Sequence, residues 1–148
     1  MKIIDTITIN SPVGEVFKVF TDLDNANKNI SAITKIKVLE GPSKMAPGTK
    51  WRETRTMFGK EATEEMWVGE LTKNKSYTIE ADSRGAKYRT DYTFTEKDGK
   101  TDVAMVFDCA VDNPVANFFM NIMFLLMKSA TKKQLRNDLV DLKTACEK

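Results

Sequence analysis

The chain has 148 residues, 41% of them apolar and 30% charged, which is typical of one globular domain with a single core. Its 23 basic and 21 acidic residues are spread along the sequence and leave a net charge of +2, so no basic stripe favours nucleic acid or an anionic membrane. The complete absence of histidine excludes Ser-His-Asp and Cys-His nucleophile systems and nearly all mixed zinc sites, and we expect neither a metal nor a cofactor.

The cysteines and the apolar segments predict the compartment. Cys109 and Cys146 form no CxxC pair, and the chain begins without an apolar secretory segment. We therefore expect two reduced thiols in a cytoplasmic protein. The longest apolar stretch, residues 115–127, is interrupted by Asn117 and Asn121 and is too short for a transmembrane segment.

The first twenty residues predict a strand followed by a helix. Ile3, Ile7 and Ile9 alternate with polar residues, and this period of two is typical of a strand with one buried face. Ser11 followed by Pro12 then predicts a helix start, with Ser11 as the N-cap and Pro12 at the first helical position.

A second short helix and another strand follow. Asp22 is a suitable cap for a helix that ends near Ile30, because the apolar residues between them have helical spacing. Alternation returns over residues 33–40, and Gly41-Pro42 ends this strand.

The middle of the chain contains four turn signals: Phe58-Gly59, residues 72–75, Arg84-Gly85 and Asp98-Gly99. Their spacing predicts five consecutive antiparallel strands joined by short loops. The resulting register assigns an apolar set of side chains to one face of the sheet, with a few charges among them. The predicted pairs are Trp51 with Met66, Glu53 with Glu64, Arg55 with Ala62, Val68 with Ile79, Glu70 with Tyr77, Ala81 with Tyr88, Tyr77 with Tyr92, Phe94 with Val103, Tyr92 with Met105, Thr90 with Phe107, and Tyr88 with Cys109.

A helix of about thirty residues is predicted from Pro114 to the C-terminus, with Asp112 or Asn113 as its cap. Its second half carries a narrow apolar stripe. Its first half, residues 115–127, is apolar on every side, which predicts that more than one face is covered. A curved sheet wrapped around this helix buries every apolar face and leaves a cavity between them.

Several segments resemble the START-like (SRPBCC) superfamily, in particular its polyketide cyclase/dehydrase-like branch: residues 9–12 (INSP), 16–22 (VFKVFTD), 47–51 (PGTKW) and 99–103 (GKTDV). The resemblance covers essentially the whole chain and implies a single START-like domain over residues 1–148. It implies an α+β helix-grip fold, in which a curved antiparallel sheet of about seven strands wraps around a long C-terminal helix. Two short helices would lie between strands 1 and 2. Members of this superfamily include lipid and sterol carriers, aromatase/cyclases and regulators of protein machines, so the resemblance specifies fold more than activity.

A charged cluster on the cavity face is the sharpest candidate site. Glu53 and Glu64 are predicted to lie directly opposite each other, with Arg55 on the same face. One interpretation is an anchor for a ligand head group or an acid/base pair. The other is a hydrated structural ion cluster without chemistry.

We predict a non-catalytic protein that binds or transports a mid-sized hydrophobic molecule, such as a lipid, a sterol-like compound, a polyketide or an aromatic compound. One alternative is a cyclase/dehydratase-type enzyme, with Glu53 or Glu64 as base and the Tyr92 hydroxyl polarising a carbonyl. Another is an interaction module, or a homodimer, that uses the apolar first half of the C-terminal helix. The predicted cavity wall consists of Trp51, Met66, Tyr77, Tyr88, Tyr92, Met105, Phe107, Met120, Phe124 and Met127, with Glu53, Arg55 and Glu64 at its polar end.

Overall fold

A computed structural model describes residues 2–57, 59–83 and 85–148 of the protein. It contains one curved antiparallel sheet of seven strands, in the order β1-β7-β6-β5-β4-β3-β2. This architecture confirms the predicted helix-grip fold. The strands are β1 (Lys2–Ile9), β2 (Ile33–Glu40), β3 (Lys50–Met57), β4 (Lys60–Thr72), β5 (Ser76–Ser83), β6 (Ala86–Lys97) and β7 (Lys100–Val111).

Two of the predicted turns fall partly outside the described residues, because Phe58 and Arg84 are not among them. Their partners Gly59 and Gly85 both have positive φ, at 78° and 81°. Glycine adopts this conformation without the steric cost that a Cβ would bring, so both glycines suit tight connections between neighbouring strands.

The first helix, α1 (Val13–Phe20), begins one residue later than predicted. The prediction of Ser11 as N-cap was wrong, because Pro12 occupies that position in an extended conformation and no side chain of its own caps the helix. The Val13 amide instead donates to Glu96 Oε1 at 2.7 Å. The Ser11 carbonyl accepts a hydrogen bond from Thr101 Oγ1 at 2.8 Å, which ties this corner to β7.

The second predicted helix consists of a 3-10 turn, Leu23–Asn25, followed by the short helix α2 (Ala26–Asn29). Asp22 caps it as predicted, since its Oδ1 accepts from the Asp24 amide at 3.1 Å. Lys44 Nζ lies 2.6 Å from the same carboxylate. This ion pair holds the loop that follows β2 against the 3-10 turn.

The predicted register is confirmed at every pair but one. Tyr77 pairs with Leu71 and not with Glu70, because the register shifts between Val68 and Leu71. At this bulge the Glu70 amide donates to Thr78 Oγ1 at 3.0 Å. This side-chain hydrogen bond takes the place of a ladder bond, and β4 has one more residue here than the facing strand. Turn signals mark only the ends of strands, so they did not predict the bulge.

The long helix α3 (Pro114–Cys146) has 33 residues. Asn113 caps it, and its Oδ1 accepts from the Val115 and Ala116 amides at 2.9 and 3.2 Å. The second half of α3 is tied to β1, where Arg136 Nη1 and Lys143 Nζ donate to the carbonyl oxygens of residues 6 and 8 at 2.7 and 2.8 Å.

The first half of α3 contradicts the prediction that several of its faces are covered. Phe118 is 62% exposed and Leu126 is 77% exposed. Two contacts join this half to the end of β7: the Val111 amide donates to Asn117 Oδ1 at 3.4 Å, and Cys109 Sγ donates to Met120 Sδ at 3.7 Å. Neither contact covers the outward side of the helix, which therefore stays open.

The main core lies where α1 and the second half of α3 pack on the concave face of the sheet. A smaller apolar cluster surrounds Trp51 at the β3 end of the sheet. In the described part of the chain, no helix combines the length and apolar character that crossing a bilayer requires. The main core contains Ile7, Ile9, Val16, Phe17, Phe20, Tyr77, Phe94, Val103, Met105, Leu139 and Leu142.

Candidate functional site: a cavity between the sheet and the second half of α3

A cavity of about 270 Å³ lies between the concave face of the sheet and α3. Strands β3 to β7 form its floor, the first helices and the loop after β2 close one end, and the second half of α3 covers it. Most of its wall is apolar. Its lining includes Phe20, Leu23, Ile30, Ile33, Met45, Trp51, Met57, Ala62, Met66, Tyr77, Ile79, Ala81, Tyr88, Thr90, Tyr92, Phe107, Thr131, Gln134, Leu135 and Leu142.

Nine of the thirteen predicted wall and anchor residues are in this lining. They are Trp51, Glu53, Arg55, Glu64, Met66, Tyr77, Tyr88, Tyr92 and Phe107. All come from strands whose alternation fixed which side of the sheet each residue faces. Their role in binding a ligand stays a prediction.

Four predicted wall residues lie elsewhere. Met105 is fully buried in the main core beneath α1 and α3. Met120, Phe124 and Met127 belong to the first half of α3, whereas α3 contributes residues from Thr131 onward to the cavity. For the three helical residues the prediction was wrong because it assumed that the whole helix covers the cavity. Met105 faces the same side of the sheet, but it lies in the main core and not in the cavity lining.

The charged cluster is centred on Arg55, as expected, but one of its partners differs. Arg55 Nε donates to Glu53 Oε2 at 2.9 Å, and Arg55 Nη1 donates to Asp138 Oδ2 at 2.9 Å. Trp51 Nε1 donates to Glu53 Oε1 at 3.4 Å. Glu64 lies across the ladder from Glu53, and its Oε1 accepts from Ser83 Oγ at 3.2 Å. The ion-paired group is therefore Glu53, Arg55 and Asp138.

Sequence reasoning missed Asp138, which comes from α3. The spacing of Leu135, Asp138 and Leu142 puts all three on one side of the helix, and all three line the cavity. This spacing was the available signal. A carboxylate among leucines on a buried helical face is unusual enough to mark a partner across the cavity.

Burial and charge shift the pKa values of Arg55 and Asp138 in opposite directions. Burial alone would lower the pKa of Arg55, but the charges of Glu53 and Asp138 outweigh it and raise that pKa. Burial raises the pKa of Asp138 above its ordinary value, although Arg55 offsets part of the effect. Arg55 therefore stays charged, and Asp138 is the member of the pair that gains a proton more readily than a carboxyl in water.

The three predicted tyrosines have different surroundings. Tyr77 is buried, stacks on Tyr92 with ring centroids 4.9 Å apart, and donates its hydroxyl to the Phe20 carbonyl at 3.4 Å. Burial, and then the charge of Asp138, raise the pKa of Tyr92. Tyr92 thus presents a neutral phenol beside the charged group. Tyr88 also lines the cavity and lies beside Phe107.

Both cysteines have pKa values that disfavour the thiolate. Burial raises the pKa of Cys109 and raises the pKa of Cys146 to about 12. A nucleophilic cysteine needs the opposite shift. The arrangement of the cavity therefore favours noncovalent binding or acid/base chemistry over thiol chemistry.

A seven-stranded sheet that grips a long C-terminal helix and encloses a mostly apolar cavity defines the class of helix-grip proteins. Within that class, the chain belongs to the family described as polyketide cyclase / dehydrase and lipid transport, whose model matches residues 1–147. The sequence matches no curated protein.

Solved structures show the same fold at low sequence identity. The chain is similar to TTHA0849 from Thermus thermophilus, with a TM-score of 0.80 and 14% identity over 99% of this chain and 97% of that one. It is similar to the Zhui aromatase/cyclase from Streptomyces sp. R1128, with a TM-score of 0.78 and 12% identity over 99% and 93% of the two chains. It also resembles Ara h 8.0201, with a TM-score of 0.70 and 17% identity over 99% and 97%.

Proposed function

We propose that the protein binds a compact hydrophobic small molecule in the cavity between the sheet and α3. The observation that carries this proposal is the cavity itself, which is apolar over most of its wall and contains the ion-paired cluster of Glu53, Arg55 and Asp138. Ligand pockets commonly combine an apolar wall with a few polar groups that fix the orientation of the ligand. The family description, which includes lipid transport, is consistent with this role.

The size of the cavity narrows the choice of ligand. Its volume of about 270 Å³ lies just below the ~300–1,000 Å³ that is usual for ligand pockets. A molecule of two or three fused or linked rings suits this space better than a two-chain lipid. Aromatic walls such as Trp51, Tyr88 and Phe107 also favour ring compounds, because flat rings stack on them.

The proposal is tested with N-phenyl-1-naphthylamine, a neutral ring compound whose fluorescence rises in apolar surroundings. We expect saturable binding of one probe per chain. Ala81→Phe should weaken binding at least about tenfold, because Ala81 is in the cavity floor and a phenyl ring would occupy the space.

The matched control is Ala110→Phe, which puts the same ring on an exposed position of β7. This variant should bind like the wild type, and circular dichroism should show both variants folded. No saturable binding by the wild type, or equal binding by both variants when both are folded, would contradict the proposal.

A cyclase- or dehydratase-type enzyme is the second candidate. It is favoured by the joint presence of Glu53, Glu64 and Tyr92 in one cavity, and a structural neighbour is named an aromatase/cyclase. Glu53 or Glu64 would act as base, and Tyr92 would donate to a substrate carbonyl. Glu64 is the freer base, because Arg55 and Trp51 already bond to both oxygens of Glu53.

The enzyme candidate is tested by turnover of a poly-β-ketone thioester. Glu64→Gln should lower the rate by about 10²-fold or more, the usual contribution of a general base. Glu65→Gln is the matched control, since Glu65 is exposed and pairs with Arg52. Equal rates for the wild type and Glu64→Gln, or no turnover at all, count against this candidate.

Self-association through α3 is a further proposal, based on the exposure of its first half. Residues 114–127, which we term the apolar segment, contain no charged residue. Soluble monomers rarely expose apolar patches of this extent, and such patches commonly mark interfaces. Eight of its large side chains are exposed: Val115, Phe118, Phe119, Ile122, Met123, Leu125, Leu126 and Met127.

A second copy of the chain suits this surface. The apolar segment spans ~21 Å, enough for two antiparallel helices related by a two-fold axis to bury it reciprocally. Lys128, Lys132 and Lys133 follow it directly. In this packing the basic residues of the two copies lie at opposite ends, farther apart than the ~8 Å over which charges interact in physiological salt.

Light scattering during gel filtration tests the dimer. The wild type should have twice the mass of one chain, and Leu126→Glu should be a monomer, because a carboxylate would be buried in the apolar contact. Val140→Glu is the control, since Val140 is an exposed apolar residue on the same helix outside the apolar segment. A monomeric wild type contradicts the proposal, and so does a monomer that floats with lipid vesicles, which would assign the segment to a membrane.

A further inference from the structure

The cavity is unusual in the sign of its charges. Six charged residues line it, and five of them are acidic: Asp22, Glu53, Glu64, Glu80 and Asp138, against Arg55 alone. Asp22 is paired with Lys44 outside the cavity. The excess of negative charge nevertheless persists at the polar end, where one guanidinium faces the carboxylates of Glu53 and Asp138.

Arg55 is already engaged on two sides. Its Nε and Nη1 donate to Glu53 and Asp138, both at 2.9 Å, and all three side chains are mostly buried. An incoming ligand carboxylate would add a third negative charge beside this one cation, in a site where water screens charge poorly. The cluster therefore opposes an acidic head group, although it contains an arginine.

The carboxylates retain capacity to accept hydrogen bonds. A carboxylate has about four lone-pair positions. Within the described residues, Asp138 accepts from Arg55 through Oδ2, and Glu53 Oε1 has only the long 3.4 Å bond from Trp51. Donors that enter the cavity thus find acceptors there. A neutral donor also avoids the cost of bringing a charged group out of water.

We propose that the cavity selects neutral hydroxylated ring compounds, whose hydroxyl donates to Glu53 or Asp138, and that it discriminates against the corresponding carboxylates. This inference rests on the proposed function, because it specifies the ligand of the same cavity. Arg55 has a positioning role in it, since it holds the two acceptors in place and prevents their mutual repulsion.

Three naphthalenes of similar size test the inference: 2-naphthol, 2-methoxynaphthalene and naphthalene-2-carboxylate. Each is titrated against the complex with N-phenyl-1-naphthylamine at neutral pH. We expect 2-naphthol to bind at least about tenfold more tightly than the methoxy compound, which corresponds to a hydrogen bond to a charged acceptor. The carboxylate should bind more weakly still.

Asp138→Asn should change the ranking, because it removes a negative charge and adds an amide donor. In this variant the affinity of naphthalene-2-carboxylate, relative to that of 2-naphthol, should rise by about tenfold or more. Asp141→Asn is the matched control. Asp141 lies one turn later on α3, accepts from Ser31, and does not line the cavity, so this variant should keep the wild-type ranking.

The possible outcomes distinguish an error in the proposed ligand class from an error in the proposed binding function. If the wild type binds N-phenyl-1-naphthylamine but prefers the carboxylate or the methoxy compound to 2-naphthol, the ligand class is wrong and the binding function stands. Tighter binding of 2-naphthylmethylammonium than of 2-naphthol would contradict the preference for a neutral donor. If none of the compounds binds, the binding function itself fails. If Asp138→Asn does not fold, the wild-type ranking still tests the ligand class, and Glu53→Gln replaces Asp138→Asn as the variant.

Discussion

Arg55 joins two carboxylates from distant parts of the chain, Glu53 on β3 and Asp138 on α3. We expect Arg55→Met to lower the free energy of unfolding by about 3–5 kcal/mol, because it leaves two buried carboxylates without their cation. Urea denaturation at neutral pH measures the change.

The control for this prediction is Arg52→Met on the opposite face of the same strand. Arg52 Nη2 lies 3.4 Å from Glu65 Oε2, and both side chains are 45% exposed. An exposed pair of this kind contributes less than about 1 kcal/mol. Similar losses in the two variants would show that Arg55 is not a buried link between the sheet and α3.

The pH dependence of stability should reveal Asp138. Burial raises its folded-state pKa above the ordinary value of 3.8, so the folded protein holds this proton more tightly than the unfolded chain does. The contribution of Asp138 to stability is therefore most favourable below pH 3.8 and decreases as the pH rises through the raised folded-state pKa.

The corresponding measurement is urea denaturation of the wild type and Asp138→Asn over a series of acidic pH values. We expect the free energy of unfolding of the wild type, relative to the variant, to fall with rising pH. A constant difference, or one that rises with pH, would mean that Asp138 does not have a raised pKa in the folded protein.

Among the individual residues of the charged cluster, the sequence predicted those on the strands and missed Asp138 on α3. Alternation along β3 fixes Glu53 and Arg55 on one face, because the side-chain period of a strand is two. The rotation of α3 about its axis depends on how its apolar faces pack. The apolar first half of the helix offered several possible rotations, so Asp138 was not among the predicted cavity residues.

Among the secondary-structure elements, the bulge in β4 is the feature that the turn signals did not predict. A Cβ at Gly69 would lie 2.7 Å from Thr78 Oγ1 and 2.6 Å from Glu80 Oε2. We expect Gly69→Ala to destabilise the protein by about 1–3 kcal/mol, because Thr78 would have to move away from the Glu70 amide. Thermal or urea denaturation measures this loss.

Gly14→Ala is the matched control. Gly14 is in α1, and a Cβ there would meet no atom within 4 Å. Alanine in a helix is up to about 1 kcal/mol more favourable than glycine, so this variant should be as stable as the wild type or more so. If both variants had the same stability, a Cβ at Gly69 would not disturb the bulge, and the prediction would be wrong.

The two halves of α3 should differ in hydrogen exchange. Residues 135–146 are anchored by Leu139, Leu142 and the bonds from Arg136 and Lys143 to β1. The apolar segment has few such contacts. We expect its amides to exchange faster than those of residues 135–146 when followed by mass spectrometry, because local opening is cheaper where fewer contacts break. Uniform protection along α3 in dilute protein would contradict this difference.

At the scale of the whole molecule, the fold followed from the sequence because each local signal agreed with the others. The alternation in five strands, the turns between them and the capped final helix leave one arrangement that buries the apolar faces. The volume of the cavity was not predictable in this way. It depends on how far Phe20, Met45 and Leu135 fill the space between the layers, which only their packing determines.

Binding in this cavity is tested most directly by an NMR titration of the isotope-labelled protein with 2-naphthol, followed through its backbone amides. We expect saturation at one ligand per chain, with the largest shifts at β3 to β6 and at residues 131–142 of α3, which surround the cavity. Shifts that do not saturate, or that are confined to the apolar segment, would contradict the claim that this cavity is the binding site.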